Sequence, residues 1–274
     1  MEAALYDEAG GFYARGVRLG LGGAFSTAPT RAPRFAAAVA AEVRACFEAL
    51  GRPPGFALVE AGPGDGTLAA ALAELAPVER IVLIERAAGM HERQRAALAG
   101  APVPVEWAAA AQEVRVEHGM VVANELFDAL AVRLLQPPDE VYVDVAADGR
   151  FVEVLRPAPD APIARPRPGG RCAVAPEAPA LLEALARTIG RGRLLVADYG
   201  DDAPAGTHGG EPVRTYLHGM PGGGALEAPG RQDLTADVDF GALRRAAAAA
   251  GLCERFYGDQ AEWLRSRAGG DADL

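Results

Sequence analysis

The chain has 274 residues, half of them hydrophobic, which is enough for one large domain with a sizeable insertion and excludes disorder throughout. Its formal charge is −10 and all 27 basic residues are arginine, so it lacks the basic balance that tight, nonspecific nucleic-acid binding needs. No apolar run reaches the roughly 18 residues of a membrane span. Residues 1–7 carry no basic secretory n-region, and three scattered cysteines (Cys46, Cys172, Cys253) suit a reduced, cytoplasmic protein.

In chain order, residues 3–32 are glycine-rich with aromatic anchors at Tyr6, Phe12 and Tyr13. They close on Gly23-Ala-Phe-Ser26-Thr27-Ala-Pro29, which reads equally as a loop laying Ser26 and Thr27 over a ligand or as an anchored leader. A helix is predicted over 33–50, with Phe35, Val39, Val43, Phe47 and Leu50 on one stripe and Gly51 just past its end. From residue 56 strands and helices alternate, as in a parallel α/β sheet: strands near 56–60, 81–85, 102–106 and 119–123, helices near 66–76 and 89–99. Short β segments follow at 132–135, 141–145 and 151–155, the last two joined by a hairpin signal at 146–149, then a proline-rich loop over 156–170. Pro176 to Ile189 is predicted as helix and 194–198 as the fifth strand. Residues 200–230 form a long glycine- and proline-rich loop, of a length often functional in compact domains. A helix (239–250), a strand (252–257) and a short helix (260–267) end the chain. The division expected is a lid and helix over 1–51, a doubly wound, mostly parallel sheet domain over 52–131 and 171–274, and a β-containing insertion over 132–170.

Phe56-Ala-Leu-Val-Glu60-Ala-Gly62-Pro63-Gly64-Asp-Gly66 is the organising stretch. It is a buried strand, a tight turn and a helix start, whose glycines let the backbone adopt φ > 0 and approach a ligand. A dinucleotide fingerprint is G-x-G-x-x-G, with the pyrophosphate at the helix N-terminus. Here the pattern is G-x-G-x-G, and Glu60 stands two residues ahead of the first glycine. That carboxylate repels a pyrophosphate and accepts from an ammonium group, which favours S-adenosylmethionine (SAM) over NAD. The next strand agrees: Ile81-Val-Leu-Ile84 ends in Glu85, placed to take ribose hydroxyls, with Arg86 beside it.

Other predicted strand ends carry Trp107, Asn124-Glu125 and Asp198-Tyr199, where ligands gather in an open α/β sheet. Trp107 either flanks an adenine or is structural. Asn124 offers both an amide donor and an acceptor. Glu125 and Asp128 could position a cationic nucleophile or remove its proton, against the plainer reading that they favour a helix's first turn. Phe127, Tyr199 and His218 are candidate acceptor contacts, His218 because it sits in the long loop. The four histidines show no metal spacing, and neither a G-x-S-x-G nor a P-loop occurs, so no metal, hydrolase or nucleotidase centre is expected.

Several blocks occur in a familiar order: Leu5-Tyr-Asp with Gly-Phe12-Tyr13, Gly23 to Pro29, Glu60 to Thr67, and Asn124-Glu-Leu-Phe-Asp-Ala-Leu130. Ala197-Asp-Tyr-Gly200, Arg214-Thr-Tyr-Leu-His218 and Pro229 to Phe240 follow. The chain resembles the MidA family of SAM-dependent methyltransferases, whose mitochondrial members are assembly factors of respiratory complex I. The resemblance implies a class I methyltransferase fold with an insertion between the fourth and fifth strands. It also implies SAM as cofactor and a protein arginine, in the best understood branch on a complex I subunit, as acceptor. Ala24 and Thr30 stand where the family's first loop usually has acids, which leaves open a non-catalytic scaffold or a small-molecule N- or O-acceptor. Asp65, Ala108 to Ala111, Ala131 and Asp237 also depart from the pattern.

Overall fold

The computed structural model describes residues 1–15, 33–160, 170–217 and 220–267. Ser26, Thr27 and His218, expected at the site, lie outside these. The central sheet is built from β1 (Ala57–Ala61), β2 (Arg80–Ile84), β3 (Val105–Ala108), β4 (Val116–Asn124) and, after an insertion, the last strand Ile189–Ala197. Its order is β3-β2-β1-β4 followed by that last strand, and every pairing is parallel. The doubly wound α/β class expected from the sequence is the class observed.

Alternate residues of the strands feed two apolar layers, as a sheet covered on both faces requires. Leu58, Ile81, Leu83, Met120 and Val122 pack with the helices Pro33–Ala49 and Thr67–Leu75 and with Trp263 of the helix Gln260–Arg267. Val59, Val82, Ile84, Val121 and Ala123 face the helices Ala178–Ala186 and Phe240–Ala249. The helix Pro33–Ala49 begins on the proline, where a missing N–H costs nothing, and the helix Thr67–Leu75 stops just before Pro77.

The expected insertion is an antiparallel sheet of β5 (Arg133–Gln136), β6 (Asp139–Val145), β7 (Phe151–Pro157) and β8 (Cys172–Val174), in the order β7-β6-β5-β8. The hairpin turns at 146–149, with Gly149 at φ 83°. Its fourth strand lies beyond 170, because Cys172 to Val174 pair with Leu135 to Arg133.

Four sequence expectations change, the first being that the third strand, expected near 102–106, is Val105–Ala108, so Trp107 lies within it. The last strand of the central sheet, β9 (Ile189–Ala197), starts five residues before 194, its polar first half pairing with residues 116–120 of β4 at the sheet edge. Polarity hid that half, since an edge strand needs no apolar run. Residues 252–257 are not a strand: they run exposed, with Glu254 bonded to Arg244 and Tyr257 packed on Phe240. Within 200–230 the chain is not all loop, since residues 214–216 pair with 233–235. No described helix is long and apolar enough to cross a membrane.

Candidate functional site

Register brings the strand ends to one level. Ala61 pairs with Ile84 and Ala123, Ile84 with Ala108, and Asn124 with Ala197. The next level holds Gly62, Glu85, Ala109, Asn124 and Ala197, with Glu125 and Asp198 one step beyond. Strand order reverses at β1, so the crevice between the ends of β1 and β4 is the natural ligand position in an open parallel sheet. A cavity of about 340 Å³ opens there, lined by Glu60, Gly62, Pro63, Gly64, Glu85, Arg86, Asn124 and Glu125 of the expected set.

Glu60 is 3 % exposed, and its Oε2 has no hydrogen-bond partner. Burial, with the Asp65 carboxylate nearby, pushes its pKa up to about 8. A buried acceptor without a donor is costly unless a ligand supplies one. The turn beyond it runs through positive φ at Gly62 (66°), Gly64 (55°) and Gly66 (86°). A Cβ on Gly62 would meet Leu126 Cδ1 at 2.8 Å, so the turn lies directly against the segment leaving β4. Gly66 lies outside the cavity lining and serves packing: a Cβ there would stand 3.2 Å from Gln94 Cα.

Glu85 is buried at the end of β2. Its Oε1 accepts from the Ala87 N–H (2.7 Å) and its Oε2 from Gln94 Nε2 (3.1 Å), leaving each oxygen one further lone pair. Burial pushes its pKa up to about 7 despite those donors. Gln94 is fully buried, also donates to the Gly64 carbonyl (2.9 Å), and accepts the Trp107 indole N–H (3.0 Å). One amide therefore ties the ends of β1, β2 and β3 together. Trp107, an expected cofactor contact, lies outside the cavity lining, turned to Gln94 and stacked by the Arg95 guanidinium. A side chain one step along a strand faces the opposite way, so position at a strand end alone did not fix its direction.

Past β4, Glu125 lines the cavity with a left-handed φ of 49°, uncommon for a residue with a side chain. Asp198 holds this turn: its Oδ2 accepts from the Phe127 N–H (2.9 Å) and the Asp128 N–H (3.2 Å), and its Oδ1 from the Tyr199 N–H (2.9 Å). Phe127 is a core residue packed with Val59 and Val121, not a cavity wall. Tyr199 is exposed and lies outside the cavity lining as well. Asp128 also lies outside the lining, but it is only 6 % exposed beside Asp198 and Asp233.

The sequence reading missed Gln94, Tyr6, Tyr13 and Asp233. Tyr6 and Tyr13 line the cavity and stack at 5.5 Å between ring centroids. The Tyr6 hydroxyl donates to the Ala129 carbonyl (3.2 Å) and the Tyr13 hydroxyl to Asp233 Oδ1 (3.0 Å). Arg86 pairs with Glu2 and sits 4.1 Å over the Tyr6 ring, fastening the N-terminal helix Glu2–Tyr6 to the rim. The resemblance had flagged the tyrosines and Asp233 as pattern, and only their contacts give them a role.

Comparison with known proteins agrees with this geometry. A family model described as "Putative S-adenosyl-L-methionine-dependent methyltransferase" matches residues 38–257. The mouse (Mus musculus) protein "Protein arginine methyltransferase NDUFAF7, mitochondrial" is 32% identical over 287 residues, which cover 90% of this chain and 65% of the mouse protein. Its human (Homo sapiens) counterpart is 31% identical over 294 residues, covering 90% and 64%. The chain thus spans just under two thirds of the length of these curated relatives. A crystal structure from Burkholderia thailandensis bound to S-adenosyl-homocysteine superposes with a TM-score of 0.79 at 27% identity, covering 91% of this chain and 70% of that one. With a family model matched over most of its length, the chain belongs to this S-adenosyl-L-methionine-dependent methyltransferase family.

Proposed function

We propose that this protein is a SAM-dependent methyltransferase whose acceptor is an arginine side chain of a protein. The observation that carries the reading is the buried, partnerless Glu60 Oε2 on the wall of the strand-end cavity, ahead of a turn with three positive-φ glycines. An ammonium donor completes that oxygen, and a diphosphate would worsen it. Glu85, with a lone pair left on each oxygen, suits ribose hydroxyls. The cofactor, when bound, supplies a methyl group made electrophilic by its sulfonium.

The chain's own groups then have a small task, because methyl transfer is governed by holding a nucleophile in line. Ile84, Met90, Ala111 and Leu185 line the cavity with apolar surface that keeps water from the reacting charge. Asn124 and Glu125 stand where an acceptor nitrogen enters, and a carboxylate of this turn takes the proton that the nitrogen gives up. Arginine as the acceptor is supported by the naming of the mouse and human relatives.

Calorimetry with SAM and with S-adenosyl-homocysteine tests the reading, with binding below millimolar expected. Gly64→Leu, placed at φ 55°, is expected to abolish it while the fold survives. Failure of the wild-type chain to bind either ligand would favour a non-catalytic scaffold, and binding of NAD instead would favour a dehydrogenase.

A further inference from the structure

Behind the tyrosine wall lies a charge arrangement that nothing in the cofactor site explains. Asp128 is 6 % exposed, and no hydrogen bond reaches its carboxylate from any described residue. It faces Asp198, Asp233 and Glu125, all of its own sign. The neighbouring acids differ from it in being satisfied: Asp198 accepts three backbone N–H groups, and Asp233 accepts the Tyr13 hydroxyl and the Leu234 N–H (3.0 Å). The cation facing Asp128 is Arg214, whose Nη2 pairs with Asp237 at 2.5 Å while its buried Nε has no partner.

An unpartnered carboxylate buried among like charges is among the costliest arrangements in a protein interior. Folding stability does not account for it, since an asparagine of the same shape would avoid the cost. Its position makes sense if a cation arrives. We infer that Asp128, backed by Asp233 and Tyr13, is the recognition site for the guanidinium of the acceptor arginine. The inference deepens the methyltransferase reading and rests on it.

The chemistry favours guanidinium over ammonium. A carboxylate with both oxygens free accepts the planar fork of a guanidinium in two parallel hydrogen bonds, which a point-like ammonium cannot make. Asp128 itself is outside the cavity lining but stands between Leu126 and Ala129, both of which line it, so its segment forms part of the cavity wall. Burial also holds the Asp128 proton well above the ordinary aspartate range, with Asp198, Asp233 and Glu125 adding to the rise and Arg214 opposing it. Arrival of a cation therefore releases a proton.

The test uses the full chain saturated with S-adenosyl-homocysteine and two probes, acetyl-Gly-Arg-Gly-amide and acetyl-Gly-Lys-Gly-amide, titrated by NMR to tens of millimolar. We expect the arginine peptide to bind about tenfold or more tightly than the lysine peptide, the scale of a charge-assisted hydrogen-bond pair. Asp128→Asn should erase that preference, leave the S-adenosyl-homocysteine affinity unchanged and raise Tm. Asp233→Asn should reduce the preference in part. Calorimetry of the arginine peptide in buffers of different ionisation enthalpy should show proton release in the wild type and none in Asp128→Asn. Equal or undetectable binding of the two peptides by the wild type would overturn the inference, as would an Asp128→Asn chain that keeps the preference. So would a peptide complex in which Arg214 has moved onto Asp128. A chain that ignores S-adenosyl-homocysteine would instead defeat the methyltransferase reading, and the two failures are thus separable.

Discussion

Glu60 concentrates the residue-scale physics of the site. Its carboxylate keeps its proton to about pH 8 in the folded chain, against an ordinary value of 4.5, because burial penalises the charge. Glu60→Gln keeps the shape and removes the charge that would hold an ammonium group. SAM affinity should fall about tenfold to a hundredfold by calorimetry, the worth of a hydrogen bond to a charged group. The ligand-free variant should be no less stable than the wild type; a loss of Tm together with unchanged SAM affinity would show that Glu60 is structural. At Gly62 the φ of 66° and the Leu126 methyl 2.8 Å from a would-be Cβ act together. Gly62→Ala is therefore expected to cost about 1–2 kcal/mol in urea unfolding, the usual penalty for left-handed backbone in a residue with a side chain. A neutral result would mean that the turn relaxes freely.

At the scale of elements, the helix carrying Gln94 matters more for where its amide points than for the cover it gives. Gln94 donates to β1 and β2 loops and accepts from the β3 tryptophan, so it holds the strand ends at the spacing that forms the cavity. Gln94→Leu leaves those partners without it in a buried setting. It should cost about 2–4 kcal/mol in denaturant unfolding, the price of one or two buried polar groups left unmade. A loss below about 0.5 kcal/mol would mean that water replaces it, since changes without such a mechanism stay in that range. The N-terminal segment is fixed by Leu5 and Phe12 packed on Leu234, and Gly230 approaches the Gly10 carbonyl so closely that a Cβ would lie 2.1 Å from it. Phe12→Ala should release this segment at a cost of about 3–5 kcal/mol to its docking. Faster proteolysis within residues 1–15 and weaker SAM binding, with the sheet intact by circular dichroism, are the expected readouts.

Over the whole molecule the buried acids make stability depend on pH in an unusual direction. Glu60 (about 8), Glu85 (about 7), Asp198 (about 7) and Asp233 (about 6) all hold protons more tightly folded than unfolded. Between their ordinary values near 4 and these raised ones the unfolded chain binds fewer protons, so stability falls as pH rises. The contribution is complete below about pH 4 and has gone by about pH 8. Self-repulsion at a net charge of −10 acts in the same sense. The Tm of the ligand-free chain should therefore decline steadily from pH 5 to 8, and S-adenosyl-homocysteine should flatten the decline. A Tm that rises over that range would show that these carboxylates are solvated or paired.

The sequence by itself determined the sheet class, the glycine turn with Glu60 ahead of it, Glu85 after the next strand, and the insertion after the fourth. Each rests on local patterning: apolar runs, glycine spacing and hairpin chemistry read along the chain. It could not assign Gln94, Tyr13 or Asp233, whose partners lie from 9 to 220 residues away, nor see that Trp107 and Phe127 face the packing layers. Only the tertiary structure decided those, because burial without a partner, as at Glu60 and Asp128, is a property of what surrounds a group. That surrounding is assembled from strand ends far apart in the chain, and no local pattern encodes it.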